Sequence, residues 1–316
     1  MSINTEYKKW LSEQLGDRVG FDEPMSVHTS FRVGGPADAY VISESVEVFT
    51  KVIRWAGQNK LPILVIGDGT NLLVKDGGIR GIVISMVQDM RKISIEGKAG
   101  DKIMVKAMAG ARMQSLCRYA VDLGLEGMNF AAGIPGTVGG GIMMNAGTRI
   151  GSVGDVLDSV DVILSLDLRE KITRKDINFS YRKVDWSRSL KSDPEEKPII
   201  VSGTFGLKKS GSSMLKKEAE KLIEKRMVTQ PKAFGTAGCF FKNPEPEKSA
   251  GELIERAGLK GKKIGGVRVS TRHANFIVNE GEGTAADILE LKEIIQNKVL
   301  EMFNINLEPE VKIVGE

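Results

Sequence analysis

Gly133-Ile134-Pro135-Gly136-Thr137-Val138-Gly139-Gly140-Gly141, with Asn145-Ala146-Gly147 just behind it, is the stretch on which the reading of this chain turns. Five glycines in nine positions remove side chains where a backbone must turn sharply or lie close against a neighbour. Successive bare N–H groups can also form a concavity that holds an anion, and a diphosphate is its natural occupant. The run therefore reads either as a set of tight turns or as a ligand cradle. A second group, Gly67-Asp68-Gly69-Thr70-Asn71-Leu72-Leu73, follows the apolar run 63–66 and begins like a dinucleotide fingerprint. It fails at the third glycine, because position 72 is leucine where close helix–strand packing needs a small residue. The chain also has no Gly-x-x-x-x-Gly-Lys-Ser/Thr, which argues against a P-loop nucleotidase. If both groups bind phosphate, they do so in another fold.

Strand and helix patterns alternate on either side of these groups. Residues 6–15 predict a first helix, and 46–58 a second with Val48, Phe49, Val52, Ile53 and Trp55 on one side. Short strands are expected at 63–66 and 81–85. A strand at 102–107 leads into a helix at 111–123, whose apolar stripe includes Cys117 as a core residue. Val160, Val162 and Leu164 alternate as a strand, and Ile199, Val201 and Thr204 do so less regularly, with the polar segment 187–197 between them read as a surface loop. Residues 214–227 read as an amphipathic helix, and a domain boundary is expected just before it. Ser249 with Glu252, and Thr284 with Asp287, match the N-terminal capping pattern of two later helices, the first ending at Gly258. Residues 274–278 and 311–314 are strand-like. Mixed strands and helices indicate an α+β or α/β protein.

Composition limits what such a fold does. The chain has 316 residues, enough for about two domains or three small ones. Glycine numbers 36, about 11% against a typical value of roughly 7%. The net charge of +4 comes from basic residues interleaved with acids, and only 6% of residues are aromatic, so no nucleic-acid groove is expected. A small anionic ligand fits that balance. Two cysteines, Cys117 and Cys239, do not make a disulfide framework and suit a reducing compartment. With two histidines, His28 and His273, a histidine-rich zinc site is not expected, and no metal is assigned. The first ten residues are polar and no run of about 18 apolar residues occurs, so a cytoplasmic, soluble protein without membrane association is expected.

The two glycine groups, together with residues 28–38, His28-Thr29-Ser30-Phe31-Arg32-Val33-Gly34-Gly35-Pro36-Ala37-Asp38, resemble the flavin-binding part of the UDP-N-acetylenolpyruvoylglucosamine reductases. The similarity continues through Phe179-Ser180-Tyr181-Arg182, through Gly235-Thr236-Ala237-Gly238-Cys239-Phe240-Phe241-Lys242-Asn243-Pro244, and through Leu307-Glu308-Pro309-Glu310-Val311. Six motifs in order span residues 28 to 315, a far more specific signal than any one glycine run. The resemblance implies an α+β architecture. A vanillyl-alcohol-oxidase-type FAD cradle would be made of residues 1–84, joined by a returning 306–316, and residues 85–208. Residues 209–305 would form the substrate domain. It also implies non-covalent FAD, NADPH as hydride donor, and UDP-N-acetylglucosamine enolpyruvate as the substrate reduced to UDP-N-acetylmuramate for peptidoglycan. No obligate protein partner is expected. The short spacing between Arg182 and the helix at 214 resembles the subgroup that lacks a tyrosine-bearing insertion.

By the same resemblance, Gly67, Gly69, Thr70, Asn71, Gly133, Ile134, Pro135, Gly136, Thr137, Gly139, Asn145 and Gly147 would contact FAD. Cys239 stands where the family usually has a serine proton donor. An ordinary thiol, with a pKa of about 8.5, is mostly protonated at neutral pH and is a stronger acid than an alcohol, so it suits that task. Arg182 would hold a carboxylate in its planar fork as charge builds there, and Glu310 would orient the site or share protons. Lys242, Asn243 and, with less support, Arg226 would contact the UDP diphosphate. His28 and His273 are read as structural. Two other readings belong with this one: an FAD-dependent oxidase or dehydrogenase of the same cradle acting on another substrate, and a nucleotide-binding regulatory protein without turnover.

Overall fold

A computed structural model describes residues 3–86, 88–164, 169–189, 198–231, 234–245 and 247–316. The surface loop expected at 187–197 lies outside the described residues from position 190 onward. The chain divides into two compact units, each assembled from separated stretches: Met1–Tyr40, Asp68–Ile82 and Arg226–Glu316 in one, Val41–Gly67 and Val83–Lys225 in the other. The chain passes between them inside two strands, Pro36–Ser43 and Ile79–Met86, inside the helix Ser212–Thr229, and between Gly67 and Asp68 in the second glycine group.

The unit containing residues 83–225 is built on a six-stranded antiparallel sheet. Its order is Arg169–Thr173, Leu157–Ile163, Ile199–Lys209, Lys102–Met108, Ile93–Ala99, with Leu125–Glu126 paired to the far end of Ile199–Lys209. Ile199–Lys209 is central and is buried continuously from Ile200 to Leu207. A strand covered on both faces has no polar face to alternate with, which accounts for the irregular pattern of this segment in the sequence. Helix Met113–Asp122 buries Met113, Leu116, Cys117, Ala120 and Val121, so Cys117 is a core residue as its spacing predicts.

The densest glycine run contains a short helix, Val138–Met143, where the sequence suggested turns or a cradle. Glycine in a helix interior costs roughly 1 kcal/mol relative to alanine. Here packing offsets that cost. A Cβ on Gly139 would stand 3.0 Å from the Ala109 Cβ, and one on Gly141 would stand 2.8 Å from the Met113 sulfur. Gly203 in the central strand makes the matching concession, since a Cβ there would lie 2.7 Å from Ile142 Cδ1. The glycines let helix and sheet approach closer than side chains permit.

The other unit has a core of Phe31, Leu73, Phe240, Phe241 and the inward face of helix Ala285–Phe303, which buries Ala285, Ile288, Leu291, Ile295 and Val299. That helix starts with the capping box expected from Thr284 and Asp287. Its first two amides also donate to the Asp76 carboxylate, from Ala285 at 2.9 Å and Ala286 at 2.9 Å. Ser249 caps Ala250–Arg256 as expected, and Gly258, with φ +73°, follows that helix's C-cap. Strands Lys263–Ile264, Val267–Val269 and Ile277–Asn279 form a small antiparallel sheet. At the C-terminus Lys312–Val314 pairs in parallel with Leu72–Val74, at the end of the second glycine group.

In the six-stranded sheet, Asp161 sits between the Lys106 ammonium at 2.7 Å and the Ser202 hydroxyl at 2.6 Å. Burial works to raise the Asp161 pKa, but the hydrogen bonds from Lys106 and Ser202 outweigh it and hold the carboxyl below its ordinary value. A depressed folded value means this stabilisation is present above the unfolded pKa of about 3.9 and is lost as pH falls through the folded value. Acidification below about pH 4 should therefore lower the urea midpoint of the parent protein more steeply than that of Asp161→Asn. Parallel curves for the two proteins would contradict this assignment.

Candidate active site

The two glycine groups serve the backbone in different ways. At Gly67 a Cβ would collide with the Thr137 side chain, so the end of strand Ile63–Ile66 lies directly against the start of the glycine helix. Thr137 is that helix's N-cap, with Oγ1 accepting the Gly140 N–H at 3.4 Å. Gly133 and Gly136 have φ of +76° and +98°, the left-handed region that favours glycine. Ile134 is buried beneath the turn and Pro135 is exposed at its tip. Gly139 donates its N–H to Ala109 at 2.9 Å and Met113 donates to the Gly136 carbonyl at 3.0 Å. The amides of Gly136 and Thr137 donate to no protein group among the described residues. Two N–H donors on a turn with no side chain at Gly136 fit the diphosphate of a dinucleotide such as FAD.

Asn145 and Gly147 organise the next turn. Asn145, at φ +46°, accepts the Gly154 N–H through Oδ1 at 2.9 Å and donates from Nδ2 to the Ser180 carbonyl at 2.9 Å. The Gly147 carbonyl accepts from Arg182 Nη2 at 3.1 Å. Arg182 occupies the two-residue turn between strands Asn178–Ser180 and Lys183–Asp185, with φ +52° and its guanidinium 5.5 Å from the Tyr181 ring centre. A side chain rarely adopts that backbone region, so the turn holds Arg182 at a cost that evenly packed surface positions do not carry. Asn145 and Arg182 thus tie the turn 145–147 to the hairpin 178–185 within this unit by two separate hydrogen bonds.

In the other unit the second glycine group folds onto the first motif. The Gly69 carbonyl accepts the Ser30 N–H at 3.1 Å, and a Cβ at Gly69, φ +61°, would collide with the His28 carbonyl. Thr70 is half-buried beside it. Asn71 reaches the C-terminal segment: Nδ2 donates to the Glu310 carbonyl at 3.0 Å, and the Asn71 carbonyl accepts the Lys312 N–H at 3.0 Å. Glu310 in turn donates its N–H to the Phe240 carbonyl at 2.7 Å. Cys239, half-buried, directly precedes Phe240 and follows Gly238 at φ +83°. Asn71, Cys239 and Glu310, from three distant stretches, therefore share one patch of backbone.

The expected diphosphate contacts all have intramolecular engagements. Lys242 Nζ is 2.9 Å from Glu308 Oε2, and Asn243 Oδ1 accepts the Ala250 N–H at 3.0 Å, at the start of helix Ala250–Arg256. Arg226 is half-buried near the end of helix Ser212–Thr229, and its carbonyl accepts the Gln230 N–H at 2.9 Å. His28 stacks on Tyr40 with ring centres 3.8 Å apart and bonds Glu23 at 2.9 Å. Burial lowers the His273 pKa, and its Nδ1 accepts the Asn275 N–H at 3.2 Å. Sequence reading missed Asn275, Asn279 and Asp76, which hold backbone rather than ligand. The capping pattern at Thr284 pointed to a helix start but not to the remote carboxylate that completes it. No group of three or more His, Cys, Asp or Glu side chains among the described residues is arranged to hold a metal ion.

A family model described as FAD binding domain matches residues 37–167, and one described as UDP-N-acetylenolpyruvoylglucosamine reductase, C-terminal domain, matches residues 230–314. A UDP-N-acetylenolpyruvoylglucosamine reductase of Desulfosudis oleivorans is 45% identical over 310 residues, covering 98% of this chain and 99% of that relative. The reductase of the same name from Desulforamulus reducens is 40% identical over 315 residues, covering 99% of each. Among solved structures, the UDP-N-acetylenolpyruvylglucosamine reductase from Thermus caldophilus superposes with a TM-score of 0.76 at 32% identity, covering 92% of this chain and 97% of that one.

The two cysteines should differ in reactivity. Cys117 is 3% exposed, and burial pushes its thiol up to about 11. The thiolate is the reacting species. Brief alkylation of the native protein at pH 8, followed by peptide mapping, should label Cys239 and leave Cys117 unlabelled until the protein is unfolded. Label on Cys117 before unfolding would contradict its placement.

Proposed function

We propose, for a chain that belongs to the UDP-N-acetylenolpyruvoylglucosamine reductase family, that Cys239 is the proton donor of its reaction and that Arg182 and Glu310 manage the charge. The protein is an NADPH-dependent flavoenzyme that reduces UDP-N-acetylglucosamine enolpyruvate to UDP-N-acetylmuramate, a step of peptidoglycan precursor synthesis. FAD, when bound, would supply the hydride chemistry that links NADPH to the enolpyruvyl double bond. The residues proposed to hold it are those of the two glycine groups: Gly67, Gly69, Thr70, Asn71, Gly133, Ile134, Pro135, Gly136, Thr137, Gly139, Asn145 and Gly147.

The protein's own task is to place the substrate and to move charge and a proton. Arrival of hydride at the terminal carbon leaves negative charge delocalised into the neighbouring carboxylate. Arg182 would grip that carboxylate in a two-pronged hydrogen bond, which strengthens as charge accumulates. The Cys239 thiol would then protonate the carbon next to the carboxylate. Glu310 would orient this site or share protons with it. The observation that carries this reading is the 2.7 Å hydrogen bond from the Glu310 amide to the Phe240 carbonyl, which sets the Glu310 backbone beside that of the residue following Cys239. For Lys242, Asn243 and Arg226 we propose contact with the UDP diphosphate. Lys242 would leave Glu308 or share it, which is cheap for an exposed ion pair worth about 1 kcal/mol or less.

The proposed domain roles are FAD binding by residues 1–84 with 306–316 and by residues 85–208, and substrate binding by residues 209–305. No helix among the described residues is long and apolar enough to cross a membrane. A cytoplasmic location, where NADPH and sugar nucleotides are supplied, completes the reading.

General acid catalysis by a placed side chain typically contributes about 10² to 10⁴-fold. In anaerobic single-turnover experiments, Cys239→Ala should keep normal flavin reduction by NADPH and lose about 10²-fold or more in reoxidation by the enolpyruvyl sugar. Cys239→Ser should retain part of that rate. Normal reoxidation in the alanine variant would remove Cys239 from the role.

A further inference from the structure

Asn275 is 2% exposed and spends its whole side chain on one residue. Its Oδ1 accepts the Phe241 N–H at 2.9 Å, and its Nδ2 donates to the Phe241 carbonyl at 2.8 Å. Its own carbonyl accepts the Phe240 N–H at 2.7 Å. On their other edge the same two residues are tied to the C-terminal segment, where the Phe240 carbonyl takes the Glu310 N–H at 2.7 Å and Phe241 bridges Pro309. Both phenylalanine rings are buried, so their peptide groups have no water to turn to.

The segment's other end is held by Asn279, four residues further on. Its backbone pairs with Gly235 in both directions, at 3.2 and 2.8 Å, and its Nδ2 donates to the Phe31 carbonyl at 2.9 Å. Between these two anchors Gly238 has φ +83° and nothing within 4 Å of where a Cβ would be. A glycine therefore precedes Cys239, and Phe240 and Phe241, on its C-terminal side, are clamped by the contacts to Asn275 and Glu310.

We propose that Asn275 is a positioning residue for proton delivery: by pairing both polar groups of Phe241 it fixes the backbone that aims Cys239 and keeps it in register with Glu310. The inference rests on Cys239 being the proton donor. A carboxamide is suited to the task because it carries a donor and an acceptor on one rigid plane, matching the acceptor and donor of a peptide. Aspartate would lose the donor, and an aliphatic side chain would leave both buried groups of Phe241 unmet.

The test is a double-mutant cycle on the holoenzyme, reading the two half-reactions separately. Asn275→Ala should leave flavin reduction by NADPH within about twofold of the parent and slow reoxidation by the enolpyruvyl UDP-sugar by about 10²-fold, the lower end of general-acid effects. Asn275→Asp, which keeps the shape and the acceptor, should fall between the two and serves if the alanine variant does not fold. In a Cys239→Ala background the same Asn275 change should cost almost nothing further, because aim is irrelevant once the donor is gone. Additive losses, or equal slowing of both half-reactions, would assign Asn275 to general stability and overturn the proposal. Slow Cys239→Ala with normal Asn275 variants would overturn this inference alone. Normal Cys239→Ala would overturn the donor reading and this inference with it.

Discussion

The backbone hydrogen bond from the Glu310 N–H to the Phe240 carbonyl at 2.7 Å, with its neighbour from the Lys242 N–H to the Glu308 carbonyl at 2.9 Å, joins the last stretch of the chain to the segment that carries Cys239. Buried peptide groups must be paired, and Phe240 is fully buried, so this contact is an obligation of the fold as well as a feature of the site. The rest of that unit is arranged around it. Asn71 holds the Glu310 carbonyl, the strand after Asn71 runs parallel with Lys312–Val314, and the loop before it is tied to Ser30. Residues far apart in the chain thereby arrive within hydrogen-bond reach of one another. Long-range pairing of this kind costs loop-closure entropy, which the shared core of Phe31, Phe240, Phe241 and the helix Ala285–Phe303 offsets.

Glycine solves two separate problems in this molecule. At Gly67, Gly139, Gly141 and Gly203 it permits close approach between elements, and at Gly133, Gly136 and Gly238 it permits a left-handed turn. The proposed diphosphate contact draws on the second use at Gly136, where the Gly136 and Thr137 amides donate to no protein group among the described residues. The first use explains why the run is so dense.

The amphipathic elements were legible because burial on one face leaves a period in the sequence. The apolar period over 46–58 coincides with helix Val46–Gln58, and Ser249 and Thr284 mark the starts of both capped helices. The short helix Val138–Met143 was not legible, since three consecutive glycines carry no apolar period and weaken helical propensity. The interleaving of the two units was hidden too, because which stretches share a core is a long-range property. Among the site residues, the place of Cys239, Arg182 and Glu310 in ordered motifs was visible, but the geometry that serves them was not. Nothing in the residue type at 182 announces φ +52°, and an asparagine at 275 looks like any polar residue until its pairing with Phe241 is known. Asn243 illustrates the converse: its motif suggests a ligand contact, and its side chain also starts a helix.

As a member of this reductase family, the chain passes electrons through its flavin to an enolpyruvyl sugar nucleotide. The direct measurement is anaerobic mixing of NADPH-reduced holoenzyme with UDP-N-acetylglucosamine enolpyruvate while the flavin's visible absorption is followed. Full return of the oxidised spectrum in a single turnover is expected, with UDP-N-acetylmuramate formed in equal amount. A flavin that stays reduced in the presence of that substrate would contradict it.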